Sequence, residues 1–200
     1  MRIDITFDIP CTWSYIGFTR VGRLAAEARS EGADLSFRFL PFQLDPDATA
    51  AGEPKAEVER RYFGRDFDHE VAYAELNAHG ASDGARFEGN PIWANTFEAH
   101  CLLQDAAEQG HGESMAAALF LAHHVEGKNV ASPAVLRVLA DRLGVVRSDD
   151  GAVRTKAALI EVLASGVRAV PVISIEGGPV FRGVPAADPL REVLRGAIPA

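Results

Sequence analysis

The sequence is poor in cysteine: Cys11 and Cys101 are the only two among 200 residues, too few for a disulfide framework. Neither their spacing nor that of the six histidines suits a metal. His123 and His124 are adjacent and point to different sides of a helix, while His69, His79, His100 and His111 fit no ligand pattern. Long apolar runs are missing too, none nearing the roughly 20 residues of a bilayer span. The start, Met1-Arg2-Ile3-Asp4-Ile5-Thr6-Phe7, alternates like a strand and lacks the apolar segment of a signal peptide. No membrane partner is expected, and a cytoplasmic location is. Basic charge is outnumbered, 20 Lys and Arg against 28 Asp and Glu for a net charge of -8, which argues against nucleic acid. Repeats and low-complexity tracts are absent as well.

What is present is an ordinary globular composition, 48% apolar and 24% charged, over a length that holds one domain or one domain with a large insertion. Ile3, Ile5 and Phe7 share one face of a strand. Asp8-Ile9-Pro10 breaks the pattern, and Ile16, Val21, Leu24, Ala25 and Ala28 then recur at helical spacing, with Gly32 as the stop. Leu35 to Phe39 alternates again, so the opening reads strand, helix, strand, the minimal unit of a parallel sheet.

Beyond Pro41 the period becomes helical for over a hundred residues. Helices are expected near Lys55 to Tyr62, Glu70 to Ala78, Ala94 to Glu108, Glu113 to Glu126, Ser132 to Leu143 and Val153 to Ala164. Ser132-Pro133 offers a capping hydroxyl, and Ala81 to Ile92 reads as irregular. Val172 to Ile175, the turn signal Gly177-Gly178, a short strand from Pro179 to Arg182 and a helix from Pro189 to Arg195 close the chain as α/β. The expected division is residues 1–50 with 155–200 around a sheet, and 51–154 as an all-helical insertion.

Cys11 stands between the first strand and an apolar helix, in Cys11-Thr12-Trp13-Ser14-Tyr15. The free N–H groups and positive dipole end of a helix start stabilise a thiolate, so a depressed pKa and nucleophilic chemistry are expected. The bland reading is a small buried thiol. Trp13 and Tyr15 beside it weigh against that reading. So does Val170-Pro171 ahead of the last hairpin, where a cis proline would turn the chain into a strand.

This order of landmarks resembles the DsbA-like branch of the thioredoxin superfamily, an α/β thioredoxin-like fold with a large helical insertion. Asp8-Ile9-Pro10-Cys11-Thr12-Trp13-Ser14-Tyr15-Ile16-Gly17 is similar to the Cys-Pro-Trp-Cys-Tyr-Ile-Gly signature of FrnE-type proteins. Asn95-Thr96-Phe97-Glu98-Ala99-His100 resembles their Asn-Thr-x-x-Ala-His helix, and Gly166 to Pro171 supplies the third landmark. The resemblance implies Cys11 and Ser14 as catalytic positions, with Trp13, Val170, Pro171, Asn95 and His100 lining the cleft. Helix-to-core hydrogen bonding competes as the role of Asn95 and His100.

Ser14 stands in place of the family's second cysteine and Thr12 in place of its proline. A hydroxyl cannot attack a disulfide, so the expected chemistry is monothiol thiol–disulfide exchange through Cys11, with a disulfide-containing protein or a small-molecule thiol as partner. Related branches of the fold, the kappa-class glutathione transferases and 2-hydroxychromene-2-carboxylate isomerases, bind glutathione beside the cis proline. Glutathione is therefore the candidate cofactor, none being expected to bind tightly, and a glutathione-dependent isomerase or transferase is the alternative. A redox-inactive binding module is a third reading, and a homodimer is left open. Cys101, four residues after Phe97, is expected as a buried thiol, with a remote resolving thiol as the sharper reading.

Overall fold

The computed structural model describes residues 1–198. Strand β1 (Arg2–Phe7) buries Ile3, Ile5 and Phe7 completely, as its alternation requires. Strand β2 (Ser36–Pro41) lies parallel to it, Ile3 opposite Phe37 and Ile5 opposite Phe39. Between them runs α1 (Thr12–Ser30), whose apolar stripe Tyr15, Ile16, Val21, Leu24, Ala25 and Ala28 is buried. Gly32, at φ 100°, provides the left-handed turn that returns the chain to β2. The C-terminal hairpin, β5 (Val172–Ile175) and β6 (Val180–Arg182), adds antiparallel to β1 in the order β2-β1-β5-β6. Helix α8 (Ala187–Arg195) packs on α1.

The intervening chain carries α2 (Lys55–Phe63), α3 (His69–Gly80), α4 (Phe97–Glu108), α5 (Gly112–His124), α6 (Pro133–Leu143) and α7 (Gly151–Ala164). It is not all helix, because β3 (Glu53–Pro54) pairs antiparallel with β4 (Ile92–Trp93). Two-residue strands have no period to read. The expected boundary at 154/155 falls inside α7, a continuous helix that packs on both α4 and β2. Ser132 is the N-cap of α6, but its side chain makes no capping bond; Asn129 Oδ1 instead accepts from Ala131 N at 2.8 Å.

The irregular stretch after α3 is tied at many points. A single 3₁₀ turn, Ala81–Asp83, presents the Asp83 carboxylate to Arg20 and Arg23 of α1, each at 2.8 Å. Asn77 holds both backbone polar groups of Phe87, and Glu88 N donates to His124 O at 2.9 Å. Phe87 then packs edge-on against Tyr15. Tyr15 in turn stacks on Phe120 and on His124, with centroids 5.2 and 5.1 Å away, so aromatic rings from α1 and α5 join the insertion to the sheet layer.

His123 and His124 are both sealed from solvent. His124 Nε2 donates to Ile9 O at 2.8 Å, while neither ring nitrogen of His123 has a hydrogen-bond partner among the described residues. Burial first, then the nearby positive charge of Lys55, drives the pKa of His123 well below the ordinary histidine value. For His124 burial again leads, followed by His123 and Lys55. The unfolded chain takes up these protons near pH ~6.5 and the folded one does not. Stability is thus present above that pH and lost as pH falls toward the depressed values, with a slope of up to about 2.7 kcal/mol per pH unit for two such groups. Denaturant titrations between pH 7.5 and 5 are expected to show this decline, and His123→Leu to reduce its slope by roughly half.

Candidate functional site

The turn that carries Cys11 is built on Asp8. Its side chain accepts from Ile9 N at 2.9 Å and its carbonyl from Cys11 N at 3.2 Å, which folds Ile9-Pro10 back toward α1. Cys11 is the N-cap of that helix: it is extended (φ -76°, ψ 112°), its carbonyl accepts from Tyr15 N, and its Sγ accepts from Ser14 N at 3.4 Å. No acidic residue occupies the first turn, so no carboxylate competes for these donors. The sulfur lies 3.6 Å from the carbonyl oxygen of Val170, as a thiol donating to it. The Val170–Pro171 bond is cis. Gly17 permits the approach of α1 to this turn, since a Cβ there would sit 3.3 Å from Pro171 Cγ. Phe42, Val162, Val167 and Val172 form a small apolar cluster that Val170 packs against.

The electrostatics correct one expectation. Burial pushes the Cys11 thiol above its ordinary value and outweighs the Ser14 hydroxyl, the Ser14 backbone N–H and the Lys55 charge, which all favour the thiolate. Cys11 is only partly buried, yet the packing around its sulfur outweighs the donor that the helix start supplies. Ser14 itself is fully buried, and its Oγ has no hydrogen-bond partner satisfying it in this thiol state.

Trp13, 46% exposed, stands over His79 with centroids 5.7 Å apart. With Thr12, Phe63, Phe67, Tyr73 and Leu76 it borders a cavity of about 230 Å³. Cys11, Ser14, Val170 and Pro171 thus come together, while Trp13 faces His79 and this cavity. Asn95 and His100 do not join them. Asn95 Oδ1 accepts from Phe97 N at 2.9 Å at the start of α4 and its Nδ2 donates to Pro46 O at 2.8 Å, pinning the loop after β2. His100 is sealed from solvent, its Nε2 between Phe42 O at 2.9 Å and Asp8 Oδ1 at 3.2 Å, so it holds the scaffold and lines no cleft. Cys101 is buried on α4 with Thr155 of α7 beside its thiol, and both cysteines are free. Among the described residues no group of three or more His, Cys, Asp or Glu could hold a metal ion.

Sequence reasoning missed Lys55, which it read only as the start of a helix. Lys55 is buried and donates to the Pro10 carbonyl at 2.8 Å, one residue before Cys11. The one available signal was scarcity, since lysine occurs only at 55, 128 and 156 in an arginine-rich chain.

Residues 2–188 match the model of the DSBA-like thioredoxin domain. The chain belongs to this family. Its solved relatives in fold include a probable DsbA oxidoreductase from Streptomyces coelicolor, 23% identical over 98% of this chain and 89% of that one, with a TM-score of 0.82. A 2-hydroxychromene-2-carboxylate isomerase is 14% identical over 92% of this chain and 89% of its own (TM-score 0.66). The cytosolic disulfide reductase DsbM from Pseudomonas aeruginosa, solved with GSH, is 19% identical over 98% of both chains (TM-score 0.62). No curated protein matches. At these identities the likenesses show the thioredoxin-like fold with its helical insertion. No helix among the described residues is long and apolar enough to cross a membrane.

The raised Cys11 pKa has a direct kinetic consequence. Alkylation by iodoacetamide is expected to be slower than that of free cysteine at pH 7 and to keep rising with pH beyond the ordinary thiol range. Mass spectrometry of labelled peptides across pH 6 to 10.5 checks this, and a rate already level by pH 7 contradicts it.

Proposed function

We propose that the protein is a thiol–disulfide oxidoreductase that acts as a monothiol through Cys11, with glutathione completing the cycle. The observation that carries this reading is the placement of Cys11 Sγ at the start of α1, 3.6 Å from the Val170 carbonyl, with Ser14 where a second thiol would stand one turn along. The Cys11 thiolate attacks one sulfur of a substrate disulfide; the S–S bond breaks, the other sulfur leaves as a thiolate and takes a proton, and a mixed disulfide with Cys11 remains. A glutathione thiolate then attacks the substrate sulfur of that bond, expelling Cys11 as thiolate and forming a glutathione–substrate disulfide. The backbone of Val170 offers hydrogen-bonding groups to an extended partner beside the sulfur.

Burial of Cys11 favours the reductive or isomerising direction. A thiol whose ionised form is disfavoured is a poor leaving group, whereas strong oxidants of this fold owe their potential to a stabilised reduced form. Within the family we read the chain as FrnE-type with serine at the second cysteine position, a reading supported by the likeness of Cys11 to Gly17 to that signature. A cytoplasmic setting, where glutathione keeps thiols reduced, suits such a cycle.

The alternative is a glutathione-dependent isomerase or transferase, favoured by the fold shared with the 2-hydroxychromene-2-carboxylate isomerase. Incubation with glutathione disulfide separates the two. Monothiol exchange is expected to leave a glutathione adduct on Cys11, and Cys11→Ser to abolish both the adduct and the reduction of a peptide–glutathione mixed disulfide. Unmodified Cys11 together with glutathione binding retained in Cys11→Ser would support the isomerase reading instead. Neither adduct nor binding would support a redox-inactive module.

Ser14→Cys restores two thiols one turn apart, close enough to bridge. The variant is expected to lose both under mild oxidation and to accelerate reduction of insulin by dithiothreitol at least tenfold over the unaltered protein, by supplying the resolving thiol. Two persisting free thiols at positions 11 and 14 in a folded variant would show that Thr12 has reshaped the turn.

A further inference from the structure

Lys55 opens α2, in the helical segment, yet its ammonium is only 3% exposed and lies against the reactive turn through the Pro10 carbonyl. Its charge is poorly compensated. The single carboxylate in salt-bridge range among the described residues is Glu59, at 3.7 Å, and the other oxygen of Glu59 is taken by His69 Nδ1 at 2.5 Å. Asp8, the second acid of this neighbourhood, is committed to Ile9 N, Leu44 N and His100.

Of the other elements packed around Lys55, α3 and α5 bring no further carboxylate. From α3 comes the Tyr73 ring, 5.9 Å from Nζ, besides His69. From α5 come His123 and His124, whose protonation Lys55 opposes. The turn before α1 contributes Asp8 and Cys11, the one group there that acquires a negative charge during the proposed chemistry. A buried ammonium held mainly by a backbone carbonyl and a shared, distant carboxylate is costly. That cost falls when an anion forms nearby.

We propose that Lys55 is the positioning residue that supplies the counter-charge to the Cys11 thiolate, so that the helical insertion tunes how readily Cys11 ionises and how readily it leaves a mixed disulfide. The inference rests on the monothiol reading for its catalytic meaning. When glutathione attacks the substrate sulfur, the S–S bond breaks and its electron pair stays on Cys11 Sγ, where Lys55 opposes the new charge. Attack on the next disulfide removes that charge again.

The test is the pH profile of Cys11 alkylation in Lys55→Met, which keeps the length of the side chain and removes its charge. The midpoint is expected to rise by about one unit, so the rate at pH 7 falls about tenfold while the high-pH plateau is unchanged. A folded variant with an unmoved midpoint overturns the proposal, including one in which only the plateau or the melting temperature changes. Should Lys55→Met fail to fold, the reciprocal measurement decides. The Lys55 side-chain NMR signal is expected to titrate at higher pH in the unaltered protein than in Cys11→Ser, and identical titrations overturn the proposal. The glutathione adduct is scored separately on the unaltered protein. A shifted midpoint without any adduct keeps Lys55 as counter-charge and rejects the exchange chemistry, whereas an adduct with an unmoved midpoint does the reverse.

Discussion

The carboxylate of Asp8 lies almost wholly out of solvent and accepts from Ile9 N, from Leu44 N at 2.7 Å and from His100 Nε2. Those donors belong to the turn after β1, the loop after β2 and the first turn of α4. A carboxylate cannot remain buried without such bonds, so its presence forces three chain segments distant in sequence to meet at one point. The Asp8 carbonyl simultaneously receives Cys11 N and sets where α1 begins. Cys11 therefore takes its position from Asp8.

At Cys11 one sulfur serves two demands. As N-cap it must accept from Ser14 N, which favours charge on sulfur; as a residue wedged between α1 and the Val170 turn it is desolvated, which disfavours charge. Desolvation prevails in the resting thiol. Sulfur is a weak acceptor when protonated, so its bond from Ser14 N adds less to the helix start than a hydroxyl cap would, beside the bond from Tyr15 N to the Cys11 carbonyl. Ionisation of Cys11 is thereby also a strengthening of the first turn of α1.

Much of the scaffold was legible because it is periodic. Alternation at Ile3, Ile5 and Phe7, the helical stripe from Ile16 to Ala28 and the Gly177-Gly178 turn each encode one local structure. The rest depends on partners remote in sequence. Pairing of Glu53–Pro54 with Ile92–Trp93 has no local pattern, and α7 crosses the expected domain boundary because its apolar face is shared between α4 and β2. His100 was bound to a motif whose partners, Asp8 and Phe42, lie 92 and 58 positions away. The sign of the Cys11 shift and the burial of Lys55 are likewise properties of packing, which a helix-start argument made from Cys11 to Tyr15 alone does not contain.

The hydroxyl of Ser14 has consequences of its own. An apolar residue of similar size would fill this fully buried position without leaving a polar atom, whereas an unsatisfied hydroxyl in such a place costs about 1–3 kcal/mol. Its hydrogen can rotate toward the neighbouring sulfur, and a thiolate is a far better acceptor than a thiol. The hydroxyl, the Ser14 N–H and the Lys55 charge all act on Cys11 in the same direction against burial. Protonated, the site leaves a hydroxyl orphaned and an ammonium undercompensated; ionised, it satisfies both at the expense of desolvating one sulfur. Burial still prevails, so the thiol is the resting state, and the hydroxyl, the Ser14 N–H and Lys55 only lower what its ionisation costs.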